Sequence, residues 1–284
     1  MTLPVLHGIA ELRRQIGQWR QAGDGIGLVP TMGALHAGHL ALVRAALAQH
    51  ARAVVSIFVN PTQFGPGEDF ERYPRQPEAD AALLAQAGAS AVYLPRVEEI
   101  YPEGFATQIQ VGGPISEVLD AVHRPGHFTA VATIVCKLLM QALPDSAYFG
   151  EKDYQQLQLV RRMARDLDLP VAIRAVPTVR EADGLAMSSR NAYLSPSERA
   201  TAAMLPRILQ DAAVQIGAGA AVDPVLASAR ARLQRAGFTA IDYLELCDAA
   251  NLLALRRADR PCRLLAAVRV GRTRLIDNFA VESS

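Results

Sequence analysis

Apolar runs of strand length alternate with helical patterns along residues 26–176, and this alternation is the strongest constraint on the fold. The runs predict buried strands at residues 26–29, 53–59, 91–94, 147–149 and 171–176. Apolar residues at helical spacing predict intervening helices that include residues 40–47, 77–87, 129–142 and 154–167. Strands that alternate with helices are typical of a doubly wound parallel sheet. The predicted fold class is therefore α/β, with a Rossmann-like sheet that binds ligands where its strands end.

The pattern changes after residue 177. The capping box SPSE at residues 195–198, with proline at the first helical position, predicts a helix that runs toward Gln215. Asp223-Pro224 predicts the start of another helix, which should end at Gly237. Strands are predicted at residues 241–247, 264–270 and 274–279, the last two joined through Gly271-Arg272 as a hairpin. We therefore predict a catalytic domain at 1–177 and a smaller α+β domain at 178–284.

The composition fits one large or two modest globular domains, because 284 residues with 50% hydrophobic content can bury a sizeable core. Lys and Arg number 29 against 28 for Asp and Glu. The resulting net charge of +1 supplies no general field that would attract nucleic acid or an anionic membrane. Any anion site must therefore be local, and no nucleic-acid partner is expected.

Cysteine usage and the first residues of the chain suggest a cytoplasmic protein. Three cysteines, an odd number without a CxxC pair, are typical of reduced thiols. The N-terminal residues lack a basic region followed by an apolar stretch, and the best apolar run, residues 131–140, is broken by Lys137. We expect neither an export segment nor a membrane span.

Two histidines follow the first strand of the alternating region, within the segment PTMGALHAGH at residues 30–39. Gly33 and Gly38 permit positive φ or close approach, so phosphate oxygens could reach backbone N–H groups at the helix N-terminus. His36 and His39 lie three residues apart and face the same side, where each could donate a proton to a phosphoryl oxygen. The residues alone leave two alternatives open. The rings could simply cap the helix, or they could bind zinc, although no further His or Cys stands near enough to complete such a site.

Four segments occur in a recognisable order: PTMGALHAGH at 30–39, FVNPTQF at 58–64, GEKDYQQ at 150–156 and MSSRN at 187–191. Together with LIDN at 275–278, they make the chain resemble the pantothenate synthetase (pantoate-β-alanine ligase) family of the HxGH nucleotidylyltransferase superfamily. The resemblance covers nearly the whole chain. It implies ATP-dependent condensation of (R)-pantoate with β-alanine through a pantoyl adenylate, yielding pantothenate, AMP and diphosphate. It also implies a homodimer.

The resemblance assigns ATP contacts to the first, third and fourth segments and to one strand end. The matching residues are Met32, Gly33, Ala34, Leu35, His36, Ala37, Gly38, His39, Gly150, Glu151, Lys152, Asp153, Val179, Met187, Ser188, Ser189 and Arg190. His39 matches the family's proton donor, and we include His36 and Lys152 as catalytic. The Lys152 ammonium would offset charge on the phosphates. The MSSR segment resembles in role the flexible phosphate-closing loop of class I aminoacyl-tRNA synthetases.

The resemblance also assigns the acceptor pocket to neutral amides. Gln63 and Gln156 match the glutamines that hold pantoate, Gln63 is expected to contact β-alanine as well, and Asn60 shapes the pocket. Amides can hydrogen-bond hydroxyls and a carboxylate without quenching the nucleophilicity of that carboxylate.

ATP chemistry predicts Mg²⁺, which proteins usually hold through phosphates, waters and one or two carboxylates. Asp80 matches an acidic position of the family and is the candidate ligand. The chain departs from its relatives at Ala79, where some have an acid, and at Ala130, where glycine is commoner.

Two functions of other classes remain as alternatives. A nucleotidylyltransferase acting on a phosphorylated small molecule should surround that phosphate with Arg or Lys, which Gln63 and Gln156 do not provide. A non-catalytic nucleotide-binding or RNA-binding relative should, if it binds RNA, show a basic stripe with interleaved aromatics, whereas aromatic residues make up 6% of the chain and its charge is balanced.

Overall fold

A computed structural model describes residues 3–282 of the chain, which divides into two compact units. Unit 1 comprises the chain up to Val111 together with Arg124–Glu151 and Leu159–Pro177. Unit 2 comprises Gly112–His123, Lys152–Gln158 and the chain from Thr178 onward. The predicted division into a catalytic domain at 1–177 and a smaller domain at 178–284 stays a prediction.

Unit 1 is built on a six-stranded parallel sheet within the described residues. Its strands are β1 Val5–Leu6, β2 Ile26–Thr31, β3 Arg52–Ile57, β4 Ala91–Tyr93, β5 Ser146–Gly150 and β6 Ala172–Val176. The order across the sheet is β1-β4-β3-β2-β5-β6. Apolar residues of the central strands, such as Val29, Val55 and Val92, are almost fully buried in the core. The predicted α/β class and the predicted strands of this sheet are confirmed.

The helices connect and cover the two sheets, and their bounds in chain order are as follows. They are α1 Ile9–Gln21, α2 Ala37–Gln49, α3 Pro77–Gln86, α4 Val97–Ile100, α5 Asp120–His123, α6 His127–Ala142, α7 Tyr154–Asp166, α8 Pro196–Ala202, α9 Met204–Gly217 and α10 Val222–Ala236. Short 3₁₀ helices span Pro61–Gln63, Pro114–Ser116, Glu151–Asp153 and Ser189–Tyr193. None of the helices in residues 3–282 has both the length and the apolar character that crossing a bilayer requires.

The strand order of unit 1 creates a switch point between β2 and β5. From β2 the chain moves outward in one direction through β3 and β4, and it then returns to β5 and moves outward in the other direction to β6. The C-terminal ends of β2 and β5 are therefore neighbours, and the chain leaves them toward opposite sides. In open α/β sheets this crevice is where ligands bind.

Unit 2 contains an antiparallel sheet of β7 Ala240–Asp248, β8 Cys262–Val270 and β9 Thr273–Val281. The hairpin between β8 and β9 pairs Val270 with Thr273, and Gly271 takes the positive φ of 54° that such a turn requires. Apolar residues of the sheet form one core with α9 and α10. The predicted hairpin and the predicted helix end at Gly237, which has φ 102°, are confirmed.

Two helix predictions for unit 2 differ from the structure. The single helix expected from Pro196 toward Gln215 is wrong, because α8 ends at Ala202 and α9 begins at Met204. Pro206 explains the break, since it has no N–H to donate to the Ala202 carbonyl and its ring clashes with that group in a continuous helix. The helix expected to follow Asp223 begins one residue before it, at Val222. β1 and α1 were not predicted, although Leu12, Ile16 and Trp19 of α1 are buried at helical spacing.

Candidate active site

The loop after β2 in unit 1 adopts an uncommon backbone conformation. Gly33 and Ala34 are consecutive residues with φ values of 83° and 51°, in the left-handed region. The N–H groups of Ala34 and Leu35 donate to Oδ2 and Oδ1 of Asp80 at 2.9 and 2.8 Å. Asp80 lies in the first turn of α3 and is buried, with 1% of its surface exposed. These two amides therefore already bind an anion, which is a carboxylate of the protein itself.

The imidazole rings of His36 and His39 lie side by side at the start of α2. Their ring centroids are 4.1 Å apart, and the planes are inclined by 38°. His36 is the N-cap residue, and its Nδ1 accepts the Gly38 N–H at 3.2 Å. The Nδ1 of His39 accepts the His36 N–H at 3.3 Å. Because a backbone N–H can only donate, a neutral ring in this geometry carries its proton on Nε2. The local fold thus selects the same tautomer for both rings.

The side chains of Asn60 and Gln63, which follow β3, belong to one hydrogen-bond network. Asn60 is buried, and its Oδ1 accepts from the Thr62 N–H at 3.3 Å, the Thr62 hydroxyl at 3.0 Å and the Tyr101 hydroxyl at 2.9 Å. Asn60 Nδ2 donates to Gln63 Oε1 at 3.3 Å. The Gln63 Nε2 lies against the sulfur of Met32. Unit 1 therefore brings the predicted pocket residues Asn60 and Gln63 to Met32, the first residue predicted to contact ATP.

The backbone of Gln63 is fixed by a second set of groups, which was not predicted. His127 Nδ1 lies 2.9 Å from the Gln63 carbonyl oxygen, and Arg124 Nη1 lies 2.9 Å from His127 Nε2. Since Arg124 can only donate, His127 Nε2 accepts and its Nδ1 carries the proton. Arg124 Nε and Nη2 also donate to the two oxygens of Glu68 at 2.7 Å each.

The Glu68 carboxyl is strongly perturbed by this arrangement. Burial by itself raises its pKa, but the hydrogen bonds and charge of Arg124 outweigh that effect and lower the pKa from 4.5 to about 2. Arg124 and His127 belong to the segment RPGHFTA, in which Ala130 is buried within α6. Both residues are remote in sequence from Gln63, so local patterns could not link them to it.

The GEKD segment spans the end of β5 and the following 3₁₀ helix. Gly150 and Glu151 belong to unit 1 and leave the sheet beside the end of β2. Lys152 belongs to unit 2, where its Nζ lies 3.8 Å from Asp153 Oδ1. The backbone carbonyl of Lys152 accepts Asn278 Nδ2 at 3.0 Å, so the LIDN segment on β9 fixes the chain at this lysine.

The two adjacent glutamines at the start of α7 differ in their surroundings. Gln155 is buried, and its Nε2 donates to the carbonyls of Ile115 and Val118, both at 2.8 Å. Its Oε1 accepts the Asp120 N–H at 3.1 Å. Gln155 therefore has a structural role in unit 2, whereas the predicted pantoate ligand Gln156 is half-buried.

The segment before MSSRN folds back on itself in unit 2. The Met187 N–H donates to the Val179 carbonyl at 3.0 Å, so this carbonyl already has a partner. Arg180 donates to both oxygens of the buried Asp277, at 2.8 and 2.9 Å. Asn191 Nδ2 donates to Glu181 Oε1 at 2.8 Å. These contacts anchor both ends of the predicted phosphate loop.

Ser188 begins the 3₁₀ helix Ser189–Tyr193, and its hydroxyl accepts the Arg190 N–H at 3.3 Å. The parallel sheet of unit 1, with the two histidines at its switch point, defines a doubly wound α/β protein. The fold defines the class but leaves the reaction open.

Comparison with known proteins identifies the family. A model of the family described as Pantoate-beta-alanine ligase matches residues 4–280. A pantothenate synthetase of Paramagnetospirillum magneticum is 57% identical over 98% of both chains. One from Rhizorhabdus wittichii is 56% identical over 99% of both chains. The chain belongs to the pantoate-beta-alanine ligase family.

Solved structures agree with this assignment. The pantothenate synthetase of Thermus thermophilus superposes with a TM-score of 0.94 at 48% identity, covering 99% of this chain and 100% of that one. A pantoate-beta-alanine ligase of Francisella tularensis, complexed with beta-gamma ATP and beta-alanine, has a TM-score of 0.84 at 32% identity, covering 99% of both chains. The predicted family, fold class and ligase activity are confirmed, while the individual site residues stay predictions.

Proposed function

We propose that the chain condenses (R)-pantoate with β-alanine in two half-reactions that use ATP as co-substrate. A pantoate carboxylate oxygen attacks the α-phosphorus of ATP, and the bond from that phosphorus to the diphosphate leaving group breaks. The β-alanine amine then attacks the acyl carbon of the pantoyl adenylate, AMP leaves, and the nitrogen loses a proton. Adenylation is needed because a free carboxylate is a poor acyl donor. The observation that carries the proposal is the family match over residues 4–280.

The histidine pair supports the first half-reaction. Both rings accept backbone N–H groups at Nδ1, so the proton available for donation is on Nε2. Donation from His39 Nε2 to a phosphate oxygen, assisted by His36, would stabilise charge that develops on the leaving diphosphate. The ring positions are set by the start of α2, so little reorganisation is needed during the reaction.

Gln63 and Asn60 support the acceptor part of the proposal. Their network leaves Gln63 Oε1 occupied by Asn60, so Nε2 is the donating side of the amide: one of its two hydrogens faces the Met32 sulfur and the other can be given to pantoate or β-alanine. Gln156, which is half-buried in the first turn of α7, is the second proposed pantoate ligand. Neutral donors orient the pantoate carboxylate and keep it nucleophilic.

The remaining predicted ATP contacts belong to the same proposal. Lys152 supplies a positive charge that can offset the phosphates, and Ser188, Ser189 and Arg190 supply hydroxyl and guanidinium donors. Val179 and Met187 are joined to each other by a backbone hydrogen bond at the base of this loop. A homodimer and a cytoplasmic location are further parts of the proposal and rest on the family resemblance and the sequence.

Magnesium is expected from ATP chemistry, but the described residues do not fit a protein-held site. No group of three or more His, Cys, Asp or Glu in residues 3–282 is placed to hold a metal ion. Both oxygens of the predicted ligand Asp80 accept backbone amides. We therefore assign no step to a metal held by this chain.

ATP–diphosphate exchange with purified protein tests the proposal. The assay is run with pantoate, without it, and with a phosphorylated analogue of pantoate in its place. We expect exchange only with pantoate, and pantothenate plus AMP once β-alanine is added. Exchange without pantothenate formation would contradict the assigned acceptor. Exchange that requires the phosphorylated analogue would favour a nucleotidylyltransferase instead.

A further inference from the structure

Asp80 joins α3 to the loop after β2 through both of its carboxylate oxygens. Oδ2 accepts the Ala34 N–H at 2.9 Å and Oδ1 accepts the Leu35 N–H at 2.8 Å. Gln76 Nε2 lies 3.5 Å from Oδ1. With 1% of its surface exposed, the carboxylate has exchanged its water shell for these donors. A buried carboxylate is tolerated when it is paired with hydrogen-bond donors in this way.

The loop that Asp80 holds has a backbone conformation that its residue types do not favour. Gly33 adopts φ 83° without cost, but Ala34 adopts φ 51°, a left-handed conformation that the alanine Cβ disfavours. In this turn the successive N–H groups of Ala34 and Leu35 both point to the Asp80 carboxylate. A negative charge at that point stabilises the conformation, and Asp80 provides it.

The space around Asp80 argues against a metal beside it. A Cβ at Gly33 would lie 3.0 Å from Asp80 Oδ2 and 3.1 Å from Ile57 Cγ2, so this side of the carboxylate is closely packed. Mg²⁺ requires near-octahedral coordination and usually keeps several of its waters. The preceding residue is Ala79, which cannot supply a second carboxylate.

We propose that Asp80 is a positioning residue that holds the loop of residues 33–35, in which Gly33 and Ala34 are left-handed, and so sets the start of α2. Leu35, whose N–H it binds, directly precedes His36, the N-cap residue of that helix. Asp80 therefore supports ATP binding by positioning the loop and the histidine pair, and it does not do so by holding Mg²⁺. This inference rests on the proposed function, because it takes residues 32–39 to bind ATP.

Equilibrium binding of ATP separates a loop role from a metal role. The dissociation constant is measured by calorimetry in EDTA and again in excess Mg²⁺, for the wild type, Asp80→Asn and the control Glu78→Gln, which changes an exposed acid in the same helical turn. We expect Asp80→Asn to bind ATP about tenfold more weakly under both conditions. Glu78→Gln should match the wild type. If Asp80→Asn equals the wild type in EDTA and is weaker only with Mg²⁺, Asp80 acts through the metal and the inference is wrong.

The double variant Asp80→Asn with Ala34→Gly gives an independent test. Glycine accepts the left-handed conformation without cost, so it should restore part of the lost ATP affinity. If Asp80→Asn alone does not fold, the melting temperature becomes the readout. Recovery of the folded state in the double variant supports the loop role, and no recovery overturns it. Absence of ATP binding by the wild type would instead contradict the proposed function.

Discussion

The Tyr101 hydroxyl donates to Asn60 Oδ1 at 2.9 Å and, with the Thr62 N–H and hydroxyl that donate to the same oxygen, fixes which way two amides face. Because its oxygen already accepts hydrogen bonds, Asn60 points Nδ2 toward Gln63 Oε1. Gln63 is then left with Nε2 as the donating end of its amide. Tyr101 is remote from Gln63 in sequence and was not predicted as part of the site.

Tyr101→Phe is expected to raise the KM for pantoate roughly fivefold, with kcat changed by less than about twofold, because Asn60 loses one of the three donors that orient its amide and, through it, the Gln63 amide. Steady-state kinetics measure both. Tyr93→Phe is the control, since it also removes a tyrosine hydroxyl that donates to a side-chain amide oxygen, that of Gln141. In a Gln63→Ala background Tyr101→Phe should add nothing, and additive effects would contradict the orientation role.

The Arg180–Asp277 pair is expected to stabilise unit 2. Asp277→Asn leaves the guanidinium without its buried partner, and we expect the free energy of unfolding in urea to fall by about 2 kcal/mol. Asp223→Asn is the control, because Asp223 and its partner Arg256 are 72% and 84% exposed. Its effect should stay below about 0.5 kcal/mol. Equal effects of the two substitutions would show that the burial of Asp277 contributes nothing to the free energy of unfolding.

Glu68 is expected to make stability depend on pH in the acidic range. Its pKa in the folded protein is about 2 against an ordinary 4.5, so its contribution is present above about pH 4.5 and is lost as the pH falls toward 2. Near neutral pH, Glu68→Gln should lower the free energy of unfolding by on the order of 1–2 kcal/mol, a value that allows for partial exposure. The difference from the wild type should shrink below about pH 4.

The control for this prediction is Glu71→Gln, which alters an exposed acid three residues further along the chain. Its difference from the wild type should be small and nearly independent of pH. A Glu68→Gln deficit that persists unchanged to the lowest pH at which the protein is folded would contradict the ion pair with Arg124.

Local patterns predicted most of the fold because each strand and helix of residues 26–176 carries its own apolar spacing. The prediction of one helix from Pro196 toward Gln215 failed because of Pro206. The capping box correctly predicted where α8 begins, but Pro206 in the residues that follow makes the helix end at Ala202. The periodic residues Leu12, Ile16 and Trp19 could have revealed α1.

The site was predictable only where its residues are close in sequence. His36 and His39 share one helical turn, and their pairing follows from helical geometry. Tyr101, Arg124 and His127 reach Gln63 only through the folding of distant segments, which no local spacing encodes. Asp80 was predicted as a metal ligand because it matches an acidic position of the family. Its burial and its contacts with Ala34 and Leu35 could not be predicted, because they exist only in three dimensions.

Donation from His39 Nε2 to ATP is the central step of the proposed function, and a rapid-quench measurement of pantoyl adenylate formation in a single turnover tests it directly. We expect His39→Ala to fold with a melting temperature close to the wild type and to form the adenylate on the order of a hundredfold more slowly. The loss should be in the chemical rate, with ATP affinity changed far less. Adenylate formation at nearly the wild-type rate would contradict the central role of the histidine pair.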